Sequence, residues 1–273
     1  MRKALFLSAA LAATAALTAC RTTERRAVAS AATPVGPPSS DRTVAVLWFQ
    51  QAAERRALSY QAFNIARERL DEALAQRRPE DKLAVVMDID ETILDNSPLE
   101  AALSQNGQPY TDAAWKGWSR RGIAKPLPGA QPFLAYAASN NVEVFYVSNR
   151  EADEFDATRD NLRAEHFPMV DAEHVRLKEF SEKGKERRRR DIAASHKIVL
   201  LMGDSLGDFA GMFEGQSAAE RDRLTEKSRE KFGHVFIVLP NPMYGAWEDC
   251  LYPKGLTEEQ KAEFRRNLLQ AEP

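Results

Sequence analysis

Four short apolar segments alternate with amphipathic helical patterns along this chain, and this alternation constrains the fold more than any other feature of the sequence. Each segment is too short for a typical buried helix and rich in the residue types of a buried parallel strand. The predicted strands are residues 83–89, 142–147, 198–202 and 234–239. The alternation predicts an α/β protein with a mostly parallel sheet.

Helical periodicity occupies most of the remaining sequence. The predicted helical regions are residues 44–76, 129–139, 154–165, 185–194 and 209–231. Residues 97–127 break the alternation and contain Tyr110, Trp115 and Trp118. We interpret this segment as an insertion that covers the end of the first strand.

The chain begins with a pattern typical of a bacterial export signal. A basic start and an apolar stretch are followed by small residues and then Cys20. Small residues directly before a cysteine resemble the lipobox of bacterial lipoproteins, which implies removal of residues 1–19 and stable anchoring by several acyl chains on Cys20. Residue 21 is Arg rather than Asp, and this pattern resembles that of lipoproteins sorted to the outer membrane. The alternative is a plain signal peptide with a chance cysteine.

The composition after the signal predicts a tether followed by one folded domain. Residues 20–42 are rich in Thr, Ala, Pro and Ser and predict a flexible tether. Residues 43–273 form the predicted domain. A formal net charge of −2 excludes a strongly basic nucleic-acid-binding protein as the default interpretation, and two cysteines in all exclude a disulfide scaffold.

Polar side chains follow three of the predicted strands where each strand ends. Asp88 and Asp90 end the first strand, Ser148 and Asn149 follow the second, and Asp204 follows the third. Ligands of parallel α/β sheets bind outside the carboxyl ends of the strands, so we expect these residues to meet in one site. The hydroxyl and backbone N–H groups at the second strand end are suited to phosphate oxygens.

The acids at these strand ends predict metal and phosphoryl chemistry. Asp88 and Asp90 repel each other unless a cation or a shared proton compensates, and Asp204 adds a further carboxylate. Oxygen donors favour a hard divalent cation such as Mg²⁺, and a carboxylate is also a nucleophile towards phosphorus. Lys183 and Lys185, just before a predicted helix, are alternative point charges for a phosphate group.

In chain order these segments resemble the haloacid dehalogenase (HAD) superfamily of phosphohydrolases, with Asp-x-Asp-x-Thr at 88–92, then Ser, then Lys, then Gly-Asp-x-x-x-Asp at 203–208. Longer segments resemble the class C, lipoprotein e-type acid phosphatases, and they are residues 57–64, 90–98, 147–150, 203–209 and 239–248. The resemblance covers roughly residues 43–270 and implies a Rossmann-like HAD core with a helical cap and N-terminal helices. Ser205 and Gly207 depart from the Asn and the acid of the family pattern.

The resemblance also implies roles for individual residues. Asp88 would attack phosphorus, and Asp90 would protonate the leaving alcohol and then activate water. The other implied roles are phosphate binding by Ser148, Asn149 and Lys185, Mg²⁺ binding by Asp88, Asp90 and Asp204, support of these groups by Thr92 and Asp208, and lining of the leaving-group pocket by Tyr244, Trp115 and Trp118.

The implied function is a Mg²⁺-dependent acid phosphatase, anchored in the outer membrane, that hydrolyses small phosphomonoesters and prefers 5′-nucleotides. The resemblance also suggests a homodimer and no nucleic-acid polymer as a partner. A broad phosphatase or phosphotransferase without base preference is one alternative. A non-enzymatic surface lipoprotein associated with haem is another, although a pure binding protein has no need of Asp90 beside Asp88.

Overall fold

The computed structural model describes residues 40–272, so the predicted signal peptide, Cys20 and most of the predicted tether lie outside the described residues. The first helix of the described residues is Ser40–Gln51, and the predicted start of the domain at residue 43 stays a prediction. In the described part, no helix is both long and apolar enough to cross a bilayer.

The α-helices of the described residues surround a central sheet. They are α1 (Ser40–Gln51), α2 (Ala53–Ala75), α3 (Ser97–Gln105), α4 (Asp112–Ser119), α5 (Ala130–Ser139), α6 (Phe155–Ala164), α7 (Glu186–Ala193), α8 (Ala218–Lys227), α9 (Ala246–Asp249) and α10 (Glu258–Leu268). The strands are β1 (Leu83–Met87), β2 (Leu94–Asp95), β3 (Lys125–Pro126), β4 (Glu143–Glu151), β5 (Val175–Lys178), β6 (Lys197–Gly203) and β7 (Phe236–Val238).

Five of these strands form one parallel sheet in the order β5-β4-β1-β6-β7. This arrangement confirms the predicted α/β class. β1 lies between β4 and β6, and its last residue, Met87, is paired with Tyr146 on one side and Met202 on the other. The carboxyl ends of three neighbouring strands therefore meet at one edge, where parallel sheets bind their ligands.

Helices pack on both faces of the sheet, so β1 is buried along its whole length. The larger core lies under α2 and α5 and includes Phe63, Leu70 and Leu134. The smaller core lies on the other face, where Ile192 of α7 packs against residues such as Phe145. This two-sided burial explains why the strands are continuous apolar runs.

Two parts of the fold differ from the sequence-based prediction. The strand β5 was not predicted, because its Val-Arg-Leu-Lys sequence is short and half polar. The helix predicted over residues 209–231 is wrong at its beginning and end, because only α8 is α-helical and 3-10 turns occupy Gly211–Phe213 and Arg229–Lys231. Gly215 has a φ of +68°, which interrupts the helical path before α8.

The predicted insertion at residues 97–127 contains α3, α4 and β3. β3 pairs with β2 as a two-stranded antiparallel ribbon. The ribbon ties the end of the insertion to the loop that follows β1, which is the loop that carries Asp90.

Candidate active site

The loop after β1 is a tight turn with Asp90 and Glu91 at its tip. The N–H groups of Ile93 and Leu94 both donate to the carbonyl oxygen of Ile89, at 3.0 and 2.9 Å. Glu91 has a φ of +54°, in the left-handed region that few non-glycine residues adopt. The turn therefore places two consecutive carboxylates at the end of the central strand.

An acidic cluster lies at the ends of β1 and β6. Asp88, Asp204 and Asp208 each offer a carboxylate oxygen, and these three oxygens lie within 4.8 Å of one another. Burial raises the pKa of Asp88 well above its ordinary value, with the neighbouring Lys185 opposing this shift. Burial and then the charge of Asp208 raise the pKa of Asp204 to about 7. Without a bound cation, the ionised forms of Asp88 and Asp204 are therefore disfavoured.

Lys185 is the cation of this cluster. Its ammonium Nζ contacts Asp88 Oδ1 and lies 2.6 Å from Asp208 Oδ1. Burial lowers the pKa of Lys185, but the carboxylates of Asp208 and Asp88 outweigh this effect and the pKa is raised, so the group stays charged. Lys183 is exposed on the surface, so Lys185 is the lysine that the fold brings to the acids.

The last residue of β6, Gly203, has no room for a side chain. A Cβ atom added to Gly203 would lie 2.1 Å from Asp208 Oδ2. The same carboxylate accepts the N–H of Ser205 at 2.9 Å. Arg189 from α7 donates to the carbonyl oxygens of Gly207 and Asp208, at 2.7 and 2.9 Å. Asp208 is therefore fixed beside Asp88 and Asp204, close enough to be a metal ligand itself rather than only a support.

Asp90 is held by a buried arginine. Arg150 Nη2 donates to Asp90 Oδ1 at 2.7 Å, and Arg150 Nε lies 3.1 and 3.2 Å from the two carboxylate oxygens. The Ser148 hydroxyl donates to Asp90 Oδ2 at 3.2 Å, so here it faces the acid. Sequence reasoning gave Arg150 no role, although an arginine at the end of an apolar strand is a signal of a buried ion pair.

A second buried carboxylate lies behind Asp90. Glu91 is fully buried and accepts the N–H of Asn96 at 2.7 Å and the hydroxyl of Tyr244. Burial and then the charge of Asp90 raise the pKa of Glu91 well above its ordinary value. The Asn96 amide Nδ2 also donates to Asp90 Oδ1 at 2.8 Å, and its Oδ1 accepts the Trp118 indole N–H at 2.8 Å. Sequence reasoning assigned no role to Glu91 or Asn96.

The acids face a cavity of about 660 Å³. Its residues include Asp88, Asp90, Lys185, Asp204, Asp208, Asn149, Tyr110, Trp115, Tyr244 and Tyr252. Trp115 lies near the acid site, with the Arg150 guanidinium carbon 5.5 Å from its ring centroid. The exposed Asn149 lines the cavity, and its Oδ1 accepts from Arg188 at 3.1 Å. The cavity therefore brings four aromatic side chains together with the acids, and most of its other lining residues are charged.

Two predicted site residues are placed differently. Trp118 was predicted to line the pocket, but it is buried, because α4 turns it towards the core and Asn96 while Trp115 faces the cavity. Thr92 was predicted to orient the Asp90 loop. Its side chain is fully buried, but within the described residues its hydroxyl has no hydrogen-bond partner. Backbone hydrogen bonds and Glu91 close this turn instead.

Comparison with known proteins finds the same group of enzymes in two ways. A family model described as HAD superfamily, subfamily IIIB (acid phosphatase), matches residues 3–247. A structure of the class C acid phosphatase from Bacillus anthracis is 39% identical, with a TM-score of 0.81, covering 85% of this chain and 98% of that one. A crystal structure of the class C acid phosphatase from the same organism, with tungstate bound, is 40% identical with the same TM-score and coverage. The family match includes every residue of the acidic cluster.

Proposed function

The chain belongs to the acid phosphatases of HAD subfamily IIIB, and from this premise we propose that it is a Mg²⁺-dependent phosphomonoesterase that works through a phosphorylated Asp88. As an acid phosphatase, it is a phosphoric monoester hydrolase. The observation that carries the finer proposal is the cluster of Asp88, Asp204 and Asp208 around Lys185, in the cavity. The tungstate bound by the Bacillus anthracis protein is a tetrahedral oxyanion like phosphate, which supports this assignment.

The donor atoms of the cluster fit a hard divalent cation. They are carboxylate oxygens, and burial, followed by the charges of neighbouring acids, raises the pKa values of Asp88 and Asp204. Asp88, Asp204 and Asp208 would hold the ion, with the main-chain carbonyl of Asp90 that the family resemblance adds. Bound Mg²⁺ would neutralise charge on the transferring phosphoryl group.

In the first step, a carboxylate oxygen of Asp88 attacks phosphorus. The new bond joins Asp88 to phosphorus, and the bond from phosphorus to the ester oxygen breaks. Asp90 gives its proton to the leaving oxygen, so the product departs as a neutral alcohol. Lys185 supplies positive charge to the phosphoryl oxygens, since phosphoryl transfer depends on positioning and charge neutralisation.

In the second step, water replaces Asp88 on phosphorus. The carboxylate of Asp90 takes a proton from the water as the water oxygen bonds to phosphorus. The bond between phosphorus and Asp88 breaks, which releases phosphate and restores both acids. Arg150 and Ser148, both on β4, hold the Asp90 carboxylate in place.

Aromatic side chains in the cavity support 5′-nucleotides as preferred substrates. Tyr110, Trp115, Tyr244 and Tyr252 contribute to the cavity that also contains Asp88. Stacking of a base on an aromatic ring contributes about 1–3 kcal/mol. A volume of about 660 Å³ lies within the range of small-ligand sites. One substrate could therefore place its phosphate at the acids and its base against one of these aromatic rings.

The test compares 5′-AMP, ribose 5-phosphate and an aryl phosphate, with Mg²⁺ and with chelator. We expect hydrolysis of all three to depend on the metal and to be lost in Asp88→Asn. Trp115→Ala should lower kcat/KM for 5′-AMP but leave ribose 5-phosphate nearly unchanged, with Tyr60→Ala, an exposed aromatic on α2, as the control. Equal rates for 5′-AMP and ribose 5-phosphate in the parent protein would favour the broad phosphatase, and activity in chelator or in Asp88→Asn would contradict the mechanism.

We also propose that the mature protein is anchored by lipid on Cys20, in the outer membrane. Support comes from the basic start, the apolar stretch and the small residues before Cys20. In a bacterial host the parent protein should partition into detergent with the membrane fraction, and Cys20→Ser should be found in the aqueous phase. Partition of the Cys20→Ser variant with the membranes would contradict the anchor. Homodimerisation stays a prediction, which analytical ultracentrifugation of the soluble domain tests.

A further inference from the structure

Hydrogen bonds around Asn96 form a chain that ends on the acid–base carboxylate. Trp118 Nε1 donates to Asn96 Oδ1, and Asn96 Nδ2 donates to Asp90 Oδ1, both at 2.8 Å. We propose that Trp118 and Asn96 are positioning residues that select which oxygen of Asp90 carries the catalytic proton. This inference rests on the proposed function, because it requires Asp90 to act as the general acid.

The indole fixes the orientation of the Asn96 amide. An indole N–H only donates, so the atom that faces Trp118 must be the amide oxygen. The amide nitrogen must then face Asp90, and a rotated amide would place its oxygen against a carboxylate. Asn96 is 1% exposed and Trp118 is 9% exposed, so water does not readily replace either partner.

Glu91 holds the other side of Asn96. Its Oε1 accepts the backbone N–H of Asn96 at 2.7 Å, and its Oε2 lies 3.3 Å from Asn96 Nδ2. The Tyr244 hydroxyl donates to the same Oε2. Asn96 is therefore bound at its backbone and at both ends of its amide, which leaves its side chain a single orientation.

The two oxygens of Asp90 consequently differ. Oδ1 accepts nitrogen donors from Asn96 and from Arg150 Nη2, at 2.8 and 2.7 Å, with Arg150 Nε at 3.1 Å. Oδ2 has only longer contacts, with Arg150 Nε and the Ser148 hydroxyl, both at 3.2 Å. A hydroxyl can accept as well as donate, whereas the nitrogen groups only donate. The proton that is passed to the leaving group is therefore carried on Oδ2.

The test uses the leaving group as the probe. An alkyl phosphate needs a proton on its leaving oxygen, and an aryl phosphate with an acidic phenol hardly needs one. Trp118→Phe removes the indole N–H and keeps an apolar ring, and Asn96→Ala removes the amide. The matched control is Trp48→Phe, on α1 and outside the cavity residues. The readout is the ratio of kcat/KM for 3-phosphoglycerol to kcat/KM for the aryl ester, since kcat/KM reports the first phosphoryl transfer.

General acid–base catalysis contributes about 10²–10⁴-fold, so we expect Trp118→Phe and Asn96→Ala to lower the alkyl-to-aryl ratio about 10-fold or more. Trp48→Phe should leave the ratio unchanged. A purely structural defect would lower kcat/KM for both esters equally, and this result in either folded variant would overturn the positioning role. If Trp118→Phe does not fold, the alkyl-to-aryl ratio of Asn96→Ala tests the positioning role. If Asn96→Ala does not fold, the ratio of Trp118→Phe tests it. A parent protein without Asp88-dependent hydrolysis of either ester would instead refute the proposed function.

Discussion

Replacing Asp204 with asparagine should stabilise the metal-free protein at neutral pH. Burial, followed by the charge of Asp208, raises the pKa of Asp204 from 3.8 to about 7. The folded protein binds this proton more tightly than the unfolded chain does. In the parent protein, the stability that comes from this tighter proton binding is therefore fully present below pH 3.8 and is lost as the pH rises through about 7. One pKa unit corresponds to about 1.4 kcal/mol, so the ionised carboxylate costs at most about 4 kcal/mol at pH 8.

The Asp204→Asn amide is neutral at every pH and keeps an oxygen that can accept the Asn241 hydrogen bond, which is 2.8 Å long in the parent structure. Urea unfolding in chelator should show the variant to be more stable by about 3–4 kcal/mol at pH 8 and within about 1 kcal/mol of the parent at pH 4. Mg²⁺ at pH 8 should stabilise the parent and have little effect on the variant. A variant that is no more stable at pH 8, or a difference independent of pH, would refute the electrostatic reasoning.

Two further pairs of variants test the cluster and its loop. Lys185→Met leaves Asp88 and Asp208 without their buried cation, so phosphatase assays should detect no activity and urea unfolding should show a loss of about 3–5 kcal/mol. Lys183→Met, at an exposed position, should change neither quantity, and equal effects of the two variants would contradict the assignment. Gly203→Ala would bring a Cβ to 2.1 Å from Asp208 Oδ2, so calorimetric titration should find Mg²⁺ affinity lost. Gly117→Ala has open space in α4 and should keep that affinity while raising the unfolding free energy by up to about 1 kcal/mol. Unchanged affinity in Gly203→Ala would argue against Asp208 as a ligand.

The parallel sheet could be predicted because burial on both faces makes each central strand a continuous apolar run. Residues 83–87 are the clearest example, since every side chain of β1 is buried. β5 lies at the edge of the sheet and pairs only with β4, so its sequence alternates apolar and charged residues and resembles a loop. The region after Asp208 contains helix-forming residues, but it forms a 3-10 turn at Gly211–Phe213, and the positive φ of Gly215 interrupts the helical path before α8.

The acids of the site could be predicted because they follow strands, and strand order along a parallel sheet brings such positions together. The arginine and the amide that hold Asp90 could not be predicted. Arg150 is 60 residues away from Asp90 in sequence, and the Asn96 amide is oriented by Trp118, which lies on a different element. Trp115 and Trp118 are three residues apart on α4, and only tertiary packing decides which of them faces the cavity.

The central claim is that Asp88 becomes phosphorylated and that Asp90 is needed to release the phosphate. The most direct measurement is acid quenching of Asp90→Asn during turnover of an aryl phosphate with Mg²⁺, followed by peptide mass spectrometry. The aryl ester needs little protonation, so Asp88 should still be phosphorylated, while the missing base slows the attack of water. The account predicts a phosphoryl group on the peptide that contains Asp88, and none in an Asp88→Asn control. Turnover of the ester without a phosphorylated peptide, or a phosphoryl group on another residue, would contradict it.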